Sequence, residues 1–129
     1  MIAQQTLQNY IAKLIEFGAT VLGSTEYGIS TLFSGYERFL NTYSSENINE
    51  NILEIQLEGA TLSCFLGESG KCELSILFLD NISAVKQYIN YFDAVYPYNS
   101  SKEAWKTPYS YLRIVSSGGD LSLVQNVSE

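Results

Sequence analysis

A chain of 129 residues that is 46% hydrophobic and 16% charged is long enough for one folded domain and too apolar for disorder. Fourteen acidic residues against seven basic ones give a net charge of −7. That balance argues against direct contact with nucleic acid or an anionic membrane, since phosphate recognition needs clustered Lys and Arg. With no His in the chain, every mechanism built on an imidazole base is excluded, including the usual Ser and Cys triads.

In chain order, Ala3, Leu7, Tyr10, Ile11, Leu14 and Ile15 recur at helical spacing, which predicts an amphipathic helix ending near Phe17 with Gly18 as its C-terminal cap. The start, MIAQQTLQNY, lacks a positive segment followed by an apolar one, so no signal peptide is expected. Ala19–Leu22 reads as a short strand or a connection. Ile29, Leu32, Phe33, Tyr36, Phe39, Leu40 and Tyr43 predict a second helix over Ser30–Thr42, with Ser30 as N-cap. Gly35 inside it costs about 1 kcal/mol against Ala. The polar run Ser44–Asn51 reads as a loop.

Ile52–Leu79 carries the clearest pattern, three alternating runs joined by two glycine turns. Leu53, Ile55 and Leu57 share one strand face; so do Ala60, Leu62, Cys64 and Leu66; the third set is Cys72, Leu74, Ile76 and Phe78. A two-residue turn at Glu58-Gly59 pairs Leu57 with Ala60, Ile55 with Leu62 and Leu53 with Cys64. A three-residue loop, Glu68-Ser69-Gly70, with Gly70 left-handed, pairs Leu66 with Cys72 and Cys64 with Leu74. Cys64 and Cys72 then lie on one face, diagonally across the hairpin, and read as two buried thiols; a disulfide would need a register shift that sets them directly opposite. Two Cys without His or a third ligand nearby do not make a metal site.

Beyond the meander, Asp80 or Asn81 caps a third helix whose stripe is Ile82, Val85, Ile89 and Phe92. This helix ends before Tyr96, which precedes Pro97. Ser100 and Glu103 have capping-box spacing, so a helical turn is expected around Lys102–Trp105. Tyr109–Ser116 and Asp120–Val127 read as two strands joined by Ser117-Gly118-Gly119. Leu112 and Ile114 face Leu121 and Leu123 if the loop has an even number of residues. The expected fold is therefore a single α+β domain over residues 1–129. It has an antiparallel sheet, made of a three-stranded meander plus a C-terminal hairpin, with about three helices packed mainly on one face.

No run of about 18 apolar residues suggests a membrane span. With two Cys, the expected location is cytoplasmic. The glycines match neither a phosphate loop nor a dinucleotide fingerprint, so a non-enzymatic protein without a cofactor is expected. Two features point instead to a protein partner. From Phe39 to Gly70 there is no Lys or Arg, but there are Glu46, Glu50, Glu54, Glu58 and Glu68. Glu54, and Glu73 on the third strand, point away from the apolar face. Tyr98, Trp105 and Tyr109, with Tyr96 and Tyr111 beside them, crowd around Pro97 and Pro108, and such aromatics anchor interfaces. The candidate partner-binding residues are Glu46, Glu50, Glu54, Glu58, Glu73, Tyr98, Trp105 and Tyr109. The bland alternatives are a solvated acidic face and an aromatic lid on the core.

In size and composition the chain resembles bacterial immunity proteins, which neutralise nuclease toxins. That likeness implies an inhibitor of a basic protein. The run Gly70-Lys71-Cys72-Glu73-Leu74, on a strand after a turn, resembles type III secretion chaperones, which are small, acidic and α+β. That likeness implies a dimer serving a secreted effector. An acidic mimic of DNA would want more carboxylates than this chain has.

Overall fold

The structure is a computed structural model that describes residues 2–45, 48–79, 85–117 and 120–127. The helices are α1 (Ile2–Thr20), α2 (Glu26–Leu32) and α3 (Val85–Val95). The strands are β1 (Arg38–Ser45), β2 (Ile48–Leu57), β3 (Ala60–Leu66), β4 (Cys72–Leu79), β5 (Tyr98–Asn99), β6 (Ala104–Lys106), β7 (Ser110–Ser117) and β8 (Asp120–Val127). All eight strands form one antiparallel sheet in the order β1-β2-β3-β4-β8-β7-β6-β5. The α+β class and the antiparallel sheet are as expected. The sheet is larger than a meander plus a hairpin, because a fourth strand precedes the meander and a short hairpin, β5–β6, precedes the last two strands. The two halves join where β8 pairs with β4.

The second helix is the largest difference from expectation. α2 starts at Glu26, capped by Thr25 rather than Ser30, and the Thr25 hydroxyl accepts from the Gly28 amide at 3.2 Å. It stops at Leu32, and the chain turns through Gly35 into β1. The Arg38 guanidinium donates to the carbonyls of Phe33 (2.8 Å) and Tyr36 (2.9 Å), fixing that turn. The stretch Arg38–Ser45 is rich in aromatic and hydroxyl residues that suit a strand. Its ladder with β2, from Arg38↔Ile55 to Ser45↔Ile48, outweighs the helical spacing. The predicted loop at Ser44–Asn51 is thereby taken up into two strands, except for residues 46–47, outside the described residues.

α1 runs through Gly18 to Thr20, so Gly18 is not a cap. It is a point of close approach: a Cβ there would lie 2.3 Å from Gln125 Nε2 and 3.3 Å from Ser75 Oγ. The Ser75 hydroxyl donates to the Gly18 carbonyl at 2.7 Å, and Gln125 Nε2 donates to the Ile15 carbonyl at 3.2 Å. Gln125 Oε1 accepts from Ser110 Oγ at 2.7 Å, so this buried polar group is satisfied. One core unites Ile11, Leu14 and Ile15 of α1, Ile29 of α2, and Tyr88 and Phe92 of α3 with Leu53, Ile55, Leu62, Leu77, Leu112, Leu121 and Leu123 of the sheet. Burial, followed by the nearby Tyr10, pushes the Tyr88 phenol up to about 12.

α3 ends at Val95, before Tyr96, as expected. Its predicted caps Asp80 and Asn81, and Ile82, lie outside the described residues. Lys102–Trp105 is not helical. Asn99 and Ala104 pair across a tight turn in which Asn99 Oδ1 accepts from the Lys102 amide at 3.1 Å and Glu103 is left-handed, with φ 52°. The C-terminal hairpin keeps β7 in strand to Ser117, which pairs with Asp120, and Ile114 pairs with Leu123. Gly118 and Gly119 lie outside the described residues.

Candidate interaction surface

The first meander turn forms as read, with Leu57↔Ala60, Ile55↔Leu62 and Leu53↔Cys64. The second forms its three-residue loop, with Gly70 at φ 79° and Leu66 opposite Cys72. One residue further on, the register shifts at a bulge between Phe65 and Leu66. Phe65 then faces Leu74, and Cys64 faces Ser75 instead of Leu74. A slip of one residue exchanges the faces of a strand. Ser75, Leu77 and Leu79 are therefore buried against the helices, while Leu74 and Ile76 are half-buried and Phe78 is exposed on the other face. The placement of Leu74, Ile76 and Phe78 in the core is corrected by this bulge. Cys64 and Cys72 stay on the inner face as buried free thiols. The Cys72 thiol beside Cys64, together with burial, holds the Cys64 thiol well above its ordinary range.

The consequence is an apolar strip, Leu74, Ile76 and Phe78, on an outer face that otherwise mixes apolar and polar residues. Cross-strand pairs place Ile52, Phe65 and Leu74 in one row. Glu54, Ser63, Ile76, Val124 and Arg113 form the next row. Thr61, Phe78, Ser122 and Val115 form the third. Phe78 is 43% and Val115 48% exposed, where helices would otherwise cover them.

The ends of this face differ in charge. Glu50 and Glu54 lie on β2. At the other end, Lys102 Nζ stands 4.8 Å and Lys106 Nζ 5.7 Å from the centre of the Tyr111 ring, a cation–π arrangement. Arg113, beside them, donates to Asn126 Oδ1 (2.9 Å) and to the Lys102 carbonyl (3.0 Å). Both acceptors are neutral, so its charge is held in place and not cancelled by them. Glu103 is the acid of that turn. Three of the seven basic residues thus gather at the β6–β7 end. At about 4.8 Å per strand, roughly 19 Å separates β2 from β7.

The sequence-derived site residues scatter over this frame. Glu54 is half-buried on the outer face and Glu50 lies on the same strand. Glu58 sits in the β2–β3 turn, where its carbonyl accepts from the Tyr10 hydroxyl at 2.9 Å. Glu73 is at the bulge, at the opposite end of β3, with its carboxylate against Gly67. Glu46 lies outside the described residues. Tyr98 and Trp105 are on β5 and β6, at the far edge from β1 and β2. Trp105 is half-buried with its ring 5.2 Å from Phe92, and its indole N–H donates to Asp93 Oδ1 at 2.9 Å. Tyr98 packs 5.4 Å from Trp105 but is 54% exposed, and Tyr109 is 74% exposed. Acids and aromatics are therefore not brought together. Tyr109 instead borders a groove of about 940 Å³ along α1, lined also by Ile15, Glu16, Ala19 and Tyr96. Burial, and secondarily Tyr91, raises the Tyr96 phenol.

The outer-face residues Leu74, Ile76, Phe78 and Arg113 were missed because alternation fixes which residues share a face, not which face is covered. The extra residue in β4 has no glycine or proline to mark it. Among the described residues no group of three or more His, Cys, Asp or Glu is placed to hold a metal ion. Nor, among them, is any helix long and apolar enough to cross a membrane. No family model, curated protein or solved structure matches the chain.

Proposed function

We propose that this protein is a non-enzymatic binding module that inhibits a basic partner protein, in the manner of an immunity protein acting on a toxin. One observation supports it above the rest. Among the described residues the edge strand β1 has its outer side unpaired; Phe39 (52% exposed) stands opposite Glu54 on the outer face of the sheet, and Leu40 (46%) opposite Leu53 on the other face. Apart from Arg38, whose guanidinium is tied back to the Phe33 and Tyr36 carbonyls, β1 carries no Lys, Arg or Pro; such an open edge accepts a partner strand through its backbone, and the acid at Glu54 favours a basic one. The protein would act in the cytoplasm.

The test uses the product of the adjacent open reading frame. Coexpression should relieve the growth inhibition that product causes, and its association rate should fall as salt rises. Phe39→Glu with Leu40→Glu should abolish protection while leaving thermal stability nearly unchanged. Full protection by that double variant rules out the β1 edge. A second reading, a dimeric chaperone for a secreted effector, is supported by the charge layout of the outer face, and an adjacent gene for a secreted, non-toxic protein would favour it.

A further inference from the structure

We infer that the outer face of the sheet is the docking surface for a second copy of this chain, through a two-fold axis running along β4. The inference is independent of which partner the β1 edge binds. Its basis is the row Glu54–Ser63–Ile76–Val124–Arg113. Glu54 lies two strands from β4 on one side and Arg113 two strands on the other. Ile76 is at the centre.

When two sheets pack face to face with their strands aligned, a two-fold axis in the plane between them runs either along the strands or across them. An axis perpendicular to the strands lays each strand on its own copy and sets Glu54 against Glu54, which repels. An axis along β4 keeps every residue in its row but exchanges the two sides. Glu54 of each copy then faces Arg113 of the other, and Ile76 faces Ile76. Glu50 falls toward the Lys102–Lys106 cluster over Tyr111. One operation thus matches both charged ends and closes the apolar middle, which is what an isologous interface requires. Sheets packed in this way lie about 10 Å apart with their strands roughly aligned, within the combined reach of Glu and Arg side chains.

The alternative occupant, an unrelated basic protein, would be attracted to Glu54 but opposed by Lys102, Lys106 and Arg113. An acidic one meets the reverse conflict. Only a partner carrying both signs in the opposite order satisfies the whole face, and the chain itself is such a partner. Glu54 then belongs to the contact between copies. What is left for another protein is the backbone edge of β1, with Leu40 on its inner side, and Glu58 in the β2–β3 turn.

Sedimentation equilibrium of the purified full chain tests this without any other ligand. A dimer is expected at micromolar concentration. Ile76→Arg, which places two like charges on the axis, should weaken it at least about a hundredfold with unchanged circular dichroism. Glu54→Lys, which leaves the hydrogen bonds of Arg113 intact, should weaken it about tenfold. The exchanged pair Glu54→Lys with Arg113→Glu should dimerise more tightly than Glu54→Lys alone. A monomer at every concentration, or a dimer indifferent to Ile76→Arg, overturns the inference. So does a folded double variant no tighter than Glu54→Lys. If the double variant does not fold, the two single variants decide: at least about a hundredfold weakening with Ile76→Arg and about tenfold with Glu54→Lys support the interface, and an unchanged dissociation constant in either overturns it.

Discussion

The two faces of β4 invert the expected relation between polarity and burial. Its inner face presents Ser75 between Cys72 and Leu77, and its outer face presents Leu74, Ile76 and Phe78. Ser75 is accommodated because α1 comes close at Gly18, where the serine hydroxyl and Gln125 satisfy helix carbonyls. The apolar outer set has no such compensation within the described residues. A buried polar group with its hydrogen bonds made costs little, while an apolar strip left uncovered is a surface for another molecule. Burial and polarity therefore have to be assigned separately, and the bulge is what separates them here.

The largest effect that sharpens this contrast comes from neighbouring residues. Leu77→Ala and Leu62→Ala, both on the inner face, should each cost about 2–5 kcal/mol in urea unfolding. Ile76→Ala, measured in dilute protein, should cost less than about 1 kcal/mol. Equal costs at 76 and 77 would erase the distinction between the faces.

High pH probes the inner face next. The Tyr88 phenol is raised by burial to about 12, so the unfolded chain loses that proton first. Stability should be fully present below about pH 10 and fall by about 2–3 kcal/mol as pH rises through 12. Tyr88→Phe should flatten that fall. An unchanged slope in Tyr88→Phe would place the titration elsewhere.

A smaller effect is expected at the α1 contact. Gly18→Ala puts a methyl group on Gln125 Nε2 and should cost about 1–3 kcal/mol. Gly18→Ala with Gln125→Ala should recover part of that loss, because the two share one space. Additive costs would show that Gly18 is needed for another reason.

These sites also mark what the sequence made legible. The β2–β3 register, the left-handed Gly70 and the buried thiols were readable, because turn chemistry and alternation act over a few residues. The outward turn of Ile76 was not, because the bulge depends on pairing to β3 and β8 together. β1 was obscured because Phe33, Tyr36, Phe39 and Leu40 also fit a helix, and only its ladder with β2 decides. Of the candidate site, the acids of β2 were legible. The basic cluster at Lys102, Lys106 and Arg113 was not, since it exists only after β6 pairs with β7. The smallest effect expected concerns Trp105, half-buried against Phe92. Its emission should be partly blue-shifted and only partly quenched by acrylamide. Full quenching would free it as an interface anchor.

The central claim, that the bulge turns Ile76 outward while holding Leu77 in the core, is tested most directly by a matched pair, Ile76→Asp and Leu77→Asp, followed by urea unfolding at dilute concentration. The account predicts that Ile76→Asp folds with a midpoint close to that of the parent chain and that Leu77→Asp does not fold. A folded Leu77→Asp beside an unfolded Ile76→Asp would contradict it.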